Sequence, residues 1–310
     1  MVIRRRTAIA AGLAATACRR APAPLAPVSI RKFSNYQQEF VAPIRAILRE
    51  HAISVKDKRV VLKPNLVEFD PAAPINTNPL LVLAAFEAFT AEGAASVRIA
   101  EGPGHRRATL DLCDAAGYFR TIRNFESNFT DLNWDATKPF RPAKRHSTLD
   151  ELHLPATILD CDLLVSMPKL KTHHWVGATL SMKNLFGIVP GGIYGWPKNP
   201  LHWAGIANVI AELEQIPVPR FAIVDGIDGM EGNGPIQGTL KHAGVLIAGS
   251  DFAAVDAACC RVMGIDPQQI PYLKLARPES DFAPKQLAET VESVRTNFAL
   301  SPGFEGLRLP

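Results

Sequence analysis

Along the chain, apolar β-branched runs, polar turns rich in Gly or Pro, and stretches of helical periodicity follow one another in repeated order. That alternation predicts an α/β fold, a three-layer arrangement in which a mostly parallel sheet is flanked by helices. The run KRVVLKPNLV (58–67) reads as a strand ending at Leu62. NTNPLLVLAAFEAFTAEGA then reads as a helix beginning after Thr77 or Asn78, with Pro79 in its first turn. ASVRIAEGPGH predicts a second strand ending at Ala100 or Glu101, followed by a helix over about 107–116. CDLLVSMPKLK predicts a third strand, with a helix expected across GATLSMKNLFGIV and an amphipathic helix over 201–216. RFAIVDGIDGMEGNGP reads as a fourth strand running into a Gly-rich loop, and AGVLIAGSD as a fifth running into the helix FAAVDAACCRVMG. From about 120 to 158, aromatics, charges and prolines mix without a sustained period, which predicts an irregular insertion.

Small and ionisable residues collect where these strands end: Lys63 and Asn65; Glu101; Lys169 to His174; Asp225 to Pro235; and Asp251. If all five strands are parallel, these clusters share the carboxyl edge of the sheet, where open α/β folds bind ligands. The densest is in LLVSMPKLKTHHWVGATLSMKNLFGIVPGG (163–192). There Lys169 and Lys171 are two apart, so on an extended strand they project to one side. With Lys63 and Lys183 they make a cationic pocket for a carboxylate, phosphate or similar anion, lined also by Asn65, Glu101, Asn184 and Asp251. Adjacent strand residues point to opposite faces, so one of His173 and His174 is expected to face the site, and His173 is the candidate proton carrier. Asp225 and Glu231, from a loop that spaces carboxylates three apart among glycines, are the other acid–base candidates. A metal ion is an open alternative that would draw on His105, His242, Asp225, Asp228 or Glu231.

Composition narrows the function classes. A chain of 310 residues with 47% hydrophobic and 21% charged content is an ordinary globular one. The net charge is +4, and Arg4, Arg5 and Arg6 lie in a segment read below as a removed leader, so the mature domain is close to neutral. Charge therefore gives no reason to expect nucleic acid as a partner. No GxGxxG follows the first strand and no Walker lysine loop or GxSxG elbow is present, which disfavours the usual nucleotide sites and the α/β-hydrolase serine. None of the five cysteines forms a CxxC, so zinc-ribbon and iron-sulfur spacings are missing. Cys259 and Cys260 fall in an apolar helical pattern and read as buried thiols, while disulfide pairing is left open.

The opening MVIRRRTAIAAGLAATACRR places arginines before a short, weakly apolar Ala and Gly run, the pattern of an export signal over 1–17 of the twin-arginine type. AATAC resembles a lipoprotein box in which Cys18 is acylated; cleavage near Ala17 without lipidation, or no cleavage, are the plainer readings. Residues 18–28 form a Pro and Ala tether, leaving 29–310 as one α/β domain. The expected location is the periplasm, or a membrane surface reached through lipidated Cys18.

VVLKPNLV, MPKLKTHHWVGATLSMKNLFG, DGIDGMEGNGPIQG and GSDFAAVDA, in that order between about Lys58 and Pro271, together resemble the domain of unknown function family 362. The leader also looks like those of bacterial members with twin-arginine signals. The resemblance implies domain bounds and polar positions but no reaction. Some relatives carry ferredoxin-like four-cysteine segments, and this chain has none. Two functions follow as expectations: an enzyme acting on or with a small anionic ligand at the carboxyl edge, or a noncatalytic binding protein for a metal ion or anionic metabolite. The protein partner is left open.

Overall fold

The computed structural model describes residues 26–105, 108–278, 280 and 282–309. The leader, Cys18 and most of the tether lie outside the described residues. Twelve strands are described: β1 (Pro27–Lys32), β2 (Arg59–Pro64), β3 (Ser96–Glu101), β4 (Phe129–Asp131), β5 (Thr137–Phe140), β6 (Leu152–Pro155), β7 (Leu163–Met167), β8 (Lys169–His173), β9 (Gly177–Thr179), β10 (Arg220–Asn233), β11 (Gln237–Gly249) and β12 (Lys285–Ala288). The main sheet runs β12-β1-β11-β10-β7-β2-β3-β4, and β10, β7, β2, β3 and β4 are parallel neighbours. β5 and β6 pair separately inside the irregular insertion.

Side-chain alternation builds the layers. Val60, Leu62, Ile99, Val165, Ile223 and Leu246 enter one buried cluster, while their neighbours Val61, Ala100, Leu164, Ala222, Val224 and Ile247 enter another. Helices α1 (Val41–Glu50) and α2 (Pro79–Ala91) cover the first face; α3 (Ile206–Leu213) and α4 (Phe252–Val262) cover the second. The fold is thus α/β, a mostly parallel sheet between helical layers. α2 starts as its sequence predicts, Asn78 accepting a hydrogen bond from the Leu80 N–H with Pro79 in the first turn.

Several expectations are corrected. The Gly-rich stretch is no loop: β10 continues to Asn233 and returns as β11 in a long antiparallel hairpin. Glycines let the neighbouring chain come close, since a Cβ on Gly229 would lie 2.6 Å from the Leu170 carbonyl oxygen. Because β11 is antiparallel, with Gly249 opposite Ala222, its end and Asp251 lie at the amino edge of the parallel strands. Asp251 caps α4 there, accepting from the Ala254 N–H at 3.1 Å. The 201–216 helix breaks at Gly205, whose φ of +93° is left-handed, into Asn199–Trp203 and α3. The expected helix across 177–189 is instead β9, a turn of helix at Ser181–Asn184 and a 3₁₀ turn at Leu185–Ile188.

Two features position the site. β2 leads to β3 on one side while β7 returns on the other, so the strand order reverses between β2 and β7, the point where such sheets open a ligand crevice. After Pro168, β8 leaves β2 and follows the long β10, extending the wall above that crevice.

Candidate functional site

A cavity of about 400 Å³, within the range of small-molecule sites, opens at this carboxyl edge. Residues after β2 (Asn65, Leu66, Val67), at the end of β3 (Glu101), on β8 and its turn (Lys171, His173, His174, Trp175), and on the 183–202 segment (Lys183, Asn184, Phe186, Lys198, His202) line it. Asn184 bridges the reversal point: its Nδ2 donates to the Lys63 carbonyl at 3.1 Å and to Ser166 Oγ at 3.0 Å, and its Oδ1 accepts from Lys63 Nζ at 3.2 Å.

Beneath the cavity, Lys63 and Glu101 form a fully buried ion pair through Nζ and Oε1. Burial pushes the lysine down and the carboxyl group up, each opposed by attraction to the other. Gly187 is packed against the pair, and a Cβ there would collide with Glu101 Oε1 and Lys63 Nζ. The other carboxyl oxygen, Glu101 Oε2, has no hydrogen-bond partner; nor do two further buried atoms of cavity-lining residues, Asn65 Oδ1 and Thr179 Oγ1. All three belong to residues that line the same cavity.

Three more lysines line the cavity without a carboxylate of their own. Lys171 Nζ donates to the carbonyls of Ile75 (2.8 Å) and Pro235 (3.2 Å), leaving a third donor for a ligand. Lys198, in a left-handed conformation with φ +67°, donates to the Gly102 carbonyl at 2.6 Å and, more distantly, to those of Phe186 and Gly187 at 3.4 Å. Among the described residues, Lys183 has no hydrogen-bond acceptor; its Nζ lies 4.5 Å from the centroid of the Phe186 ring. Burial first, then mutual repulsion, lowers these amines: Lys171 well below the usual lysine range, Lys183 to about 8 and Lys198 to about 7.

The histidines are fixed by backbone. His173 Nδ1 accepts from the Trp175 N–H at 3.1 Å, and burial holds the ring well below its ordinary pKa, so it is neutral with its proton on Nε2. It is therefore a donor at neutral pH. His174 Nδ1 donates to the Gly234 carbonyl (2.6 Å) and His202 Nδ1 to the Lys198 carbonyl (3.0 Å), which leaves each Nε2 free to accept. Both His173 and His174 reach the cavity, against the strict alternation expected, because β8 ends at His173 and His174 begins a turn.

Lys169 and Asp225 are elsewhere. They form a buried pair of 2.7 Å completed by Tyr36 and Asn78, beside a different cavity of about 270 Å³. Lys169 pairs with Asp225 of β10 but Lys171 with Met230, an irregularity that turns β8 between them, so the two lysines do not share a pocket. Glu231 accepts from the Ala299 N–H at 2.8 Å on the hairpin, and Asp251 is the α4 cap; neither lines the cavity. His242 pairs with Asp228 at 2.8 Å on the hairpin. Among the described residues, no three His, Cys, Asp or Glu side chains gather as a metal-holding group. Cys113, Cys161, Cys259 and Cys260 are buried free thiols. Among the described residues, no helix is long and apolar enough to cross a membrane.

Lys198, His202, Trp175 and Thr179 line the cavity without a local pattern that marks them. Lys198 and His202 come from GWPKNPLHW, where the conspicuous signal was an amphipathic helix rather than the loop before it.

A family model described as domain of unknown function (DUF362) matches residues 60–261. The thylakoid-associated protein sll1697 of Synechocystis sp. is 29% identical over 222 residues, 69% of this chain and 65% of that protein. The lactate racemase apoprotein from Thermoanaerobacterium thermosaccharolyticum is similar in structure with a TM-score of 0.45 and 16% identity, covering 76% of this chain and 56% of that one. The chain spans less than two thirds of either protein.

Proposed function

The chain belongs to the DUF362 family, and from that premise we propose that it is an enzyme acting on a small organic anion held in the switch-point cavity. One observation carries this reading: Lys171, Lys183 and Lys198 converge on a cavity whose nearest carboxylate, Glu101, is already paired with Lys63. Amines lowered by burial and by one another are short of negative charge, and an anion supplies it. Lys171 and the Nε2–H of His173 donate to the anionic group. Trp175, Phe186, Pro197 and Ile236 give the rest of the ligand apolar walls. Glu101, raised by burial and with a free oxygen, carries a proton to or from the reacting centre.

The site is proposed to work on the exported or membrane-associated side of the cell. The arginine-bearing leader supports this, as does the thylakoid association of the Synechocystis relative. A Cys18 lipid anchor is part of the same proposal.

The test is thermal stabilisation of the purified protein by phenylacetate, phenyl phosphate and inorganic phosphate, with benzyl alcohol as the neutral control. Stabilisation by at least one organic anion, none by benzyl alcohol, and loss of the effect in Lys183→Met are expected. Equal stabilisation by benzyl alcohol, or an unchanged effect in Lys183→Met, contradicts the reading.

A further inference from the structure

The four lysines around Glu101 are not equivalent. Lys63 is tied to Glu101, Asn184 and the Pro64 carbonyl; Lys171 to two carbonyls; Lys198 to three. Such acceptors fix the direction of each nitrogen's N–H bonds and hold it in place. Lys183 differs: among the described residues it has no acceptor, it rests on the Phe186 ring, and it is a cavity-lining residue. Lys171 and His173, the proposed anion-binding donors, line the same cavity.

An amine surrounded by cations, set on an apolar wall and free of acceptors is suited to nucleophilic attack on a carbonyl. We propose that Lys183 captures the carbonyl carbon of a 2-oxo acid as an imine, with the substrate carboxylate held by Lys171 and the Nε2–H of His173. This rests on the anion-site reading above and names its substrate class. The Lys183 nitrogen lone pair forms the N–C bond while the carbonyl π electrons move to oxygen, which takes the proton that the nitrogen gives up. The nitrogen lone pair then forms the C=N bond as the C–O bond of that carbinolamine breaks and the oxygen leaves as water, with Glu101 Oε2 delivering the proton the departing oxygen needs and taking back the second proton from nitrogen. The sum is amine plus carbonyl to imine plus water, with no change of oxidation state. A Lys183 held near 8 supplies free amine at mildly alkaline pH, where an ordinary surface lysine is almost wholly protonated.

The full chain is incubated with pyruvate or phenylpyruvate, reduced with sodium borohydride, and weighed intact before the adduct is mapped by proteolysis. One reduced adduct per chain on the Lys183 peptide is expected with at least one of the two acids. Lys183→Arg, whose guanidinium is not a nucleophilic amine, loses the adduct while remaining folded by circular dichroism. No adduct with either acid, adducts spread over surface lysines, or the same labelling in Lys183→Arg overturns the imine. If phenylacetate stabilises the wild type while no adduct forms, the anion site stands and the imine falls; if neither occurs, both fall.

Discussion

Lys169 and Lys171 stand two residues apart on one strand, yet they sit in opposite electrostatic settings. Lys169 is matched: Asp225 takes its Nζ at 2.7 Å, the Tyr36 hydroxyl at 2.6 Å and the Asn78 N–H at 2.9 Å, so every strong group in that cluster has a partner. Lys171 opens on a cavity that it shares with Lys183 and Lys198. A closed network spends its hydrogen bonds on holding strands together, here tying the segment before α1 and the start of α2 to β10. An open one leaves donors that a ligand could take. The difference separates a lysine paired within the fold from one that opens on a cavity, within a single KLK motif.

The sharpest way to break that contrast is to remove Asp225. Asp225→Ala strands Lys169 as an unpaired buried charge and is expected to cost about 3–5 kcal/mol of stability, measured by urea denaturation. A loss under about 1 kcal/mol would mean the cluster is not the closed network described. Lys183→Met, in contrast, should leave folding intact and weaken organic-anion binding by about 10- to 100-fold, the worth of one charge-assisted hydrogen bond. Retained affinity would remove Lys183 from the site. Gly187→Ala forces a methyl group into the Lys63–Glu101 pair and is expected to cost about 1–3 kcal/mol while also weakening the anion. If stability drops but binding does not, the pair is not coupled to the cavity. Tyr36→Phe deletes one hydroxyl from the closed cluster, at about 1 kcal/mol, with no change in anion affinity.

The two regions also differ in pH dependence. Lys183 holds its proton to about 8 in the folded protein against 10.5 for an ordinary lysine. Between those values the unfolded chain binds more protons, so the folded state gains stability as pH rises through the window. Lys183→Met lacks this contribution. Its stability advantage over the wild type should therefore shrink as pH is raised through that window, and an advantage that grows would reverse the assigned direction.

Much of this site is written in local sequence. Lys63, Glu101, Lys171 and Asn184 are legible because each follows an apolar run, and parallel strands deliver such positions to one edge. What escaped depends on geometry that no local pattern carries. Asp251 moved to the opposite edge because β11 runs antiparallel, its thirteen residues being as apolar at their end as those of a parallel strand. Lys169 and Lys171 parted because β8 meets β10 with an irregular register, which periodicity of two cannot foresee. Lys198 precedes, and His202 lies in, the short Asn199–Trp203 helix, whose place above β3 is set by long-range contacts, such as the Lys198 hydrogen bond to Gly102 across 96 residues of sequence.

The cavity's amines are lowered when it is empty and are expected to be raised when an anion enters. Isothermal titration of phenylacetate into the full chain near pH 8, repeated in buffers of different ionisation enthalpy, measures this directly. Binding with net proton uptake is predicted, because the anion raises the amines that burial and repulsion had lowered, and the uptake should diminish in Lys183→Met. Binding with no proton uptake, or uptake unchanged in Lys183→Met, would contradict the account.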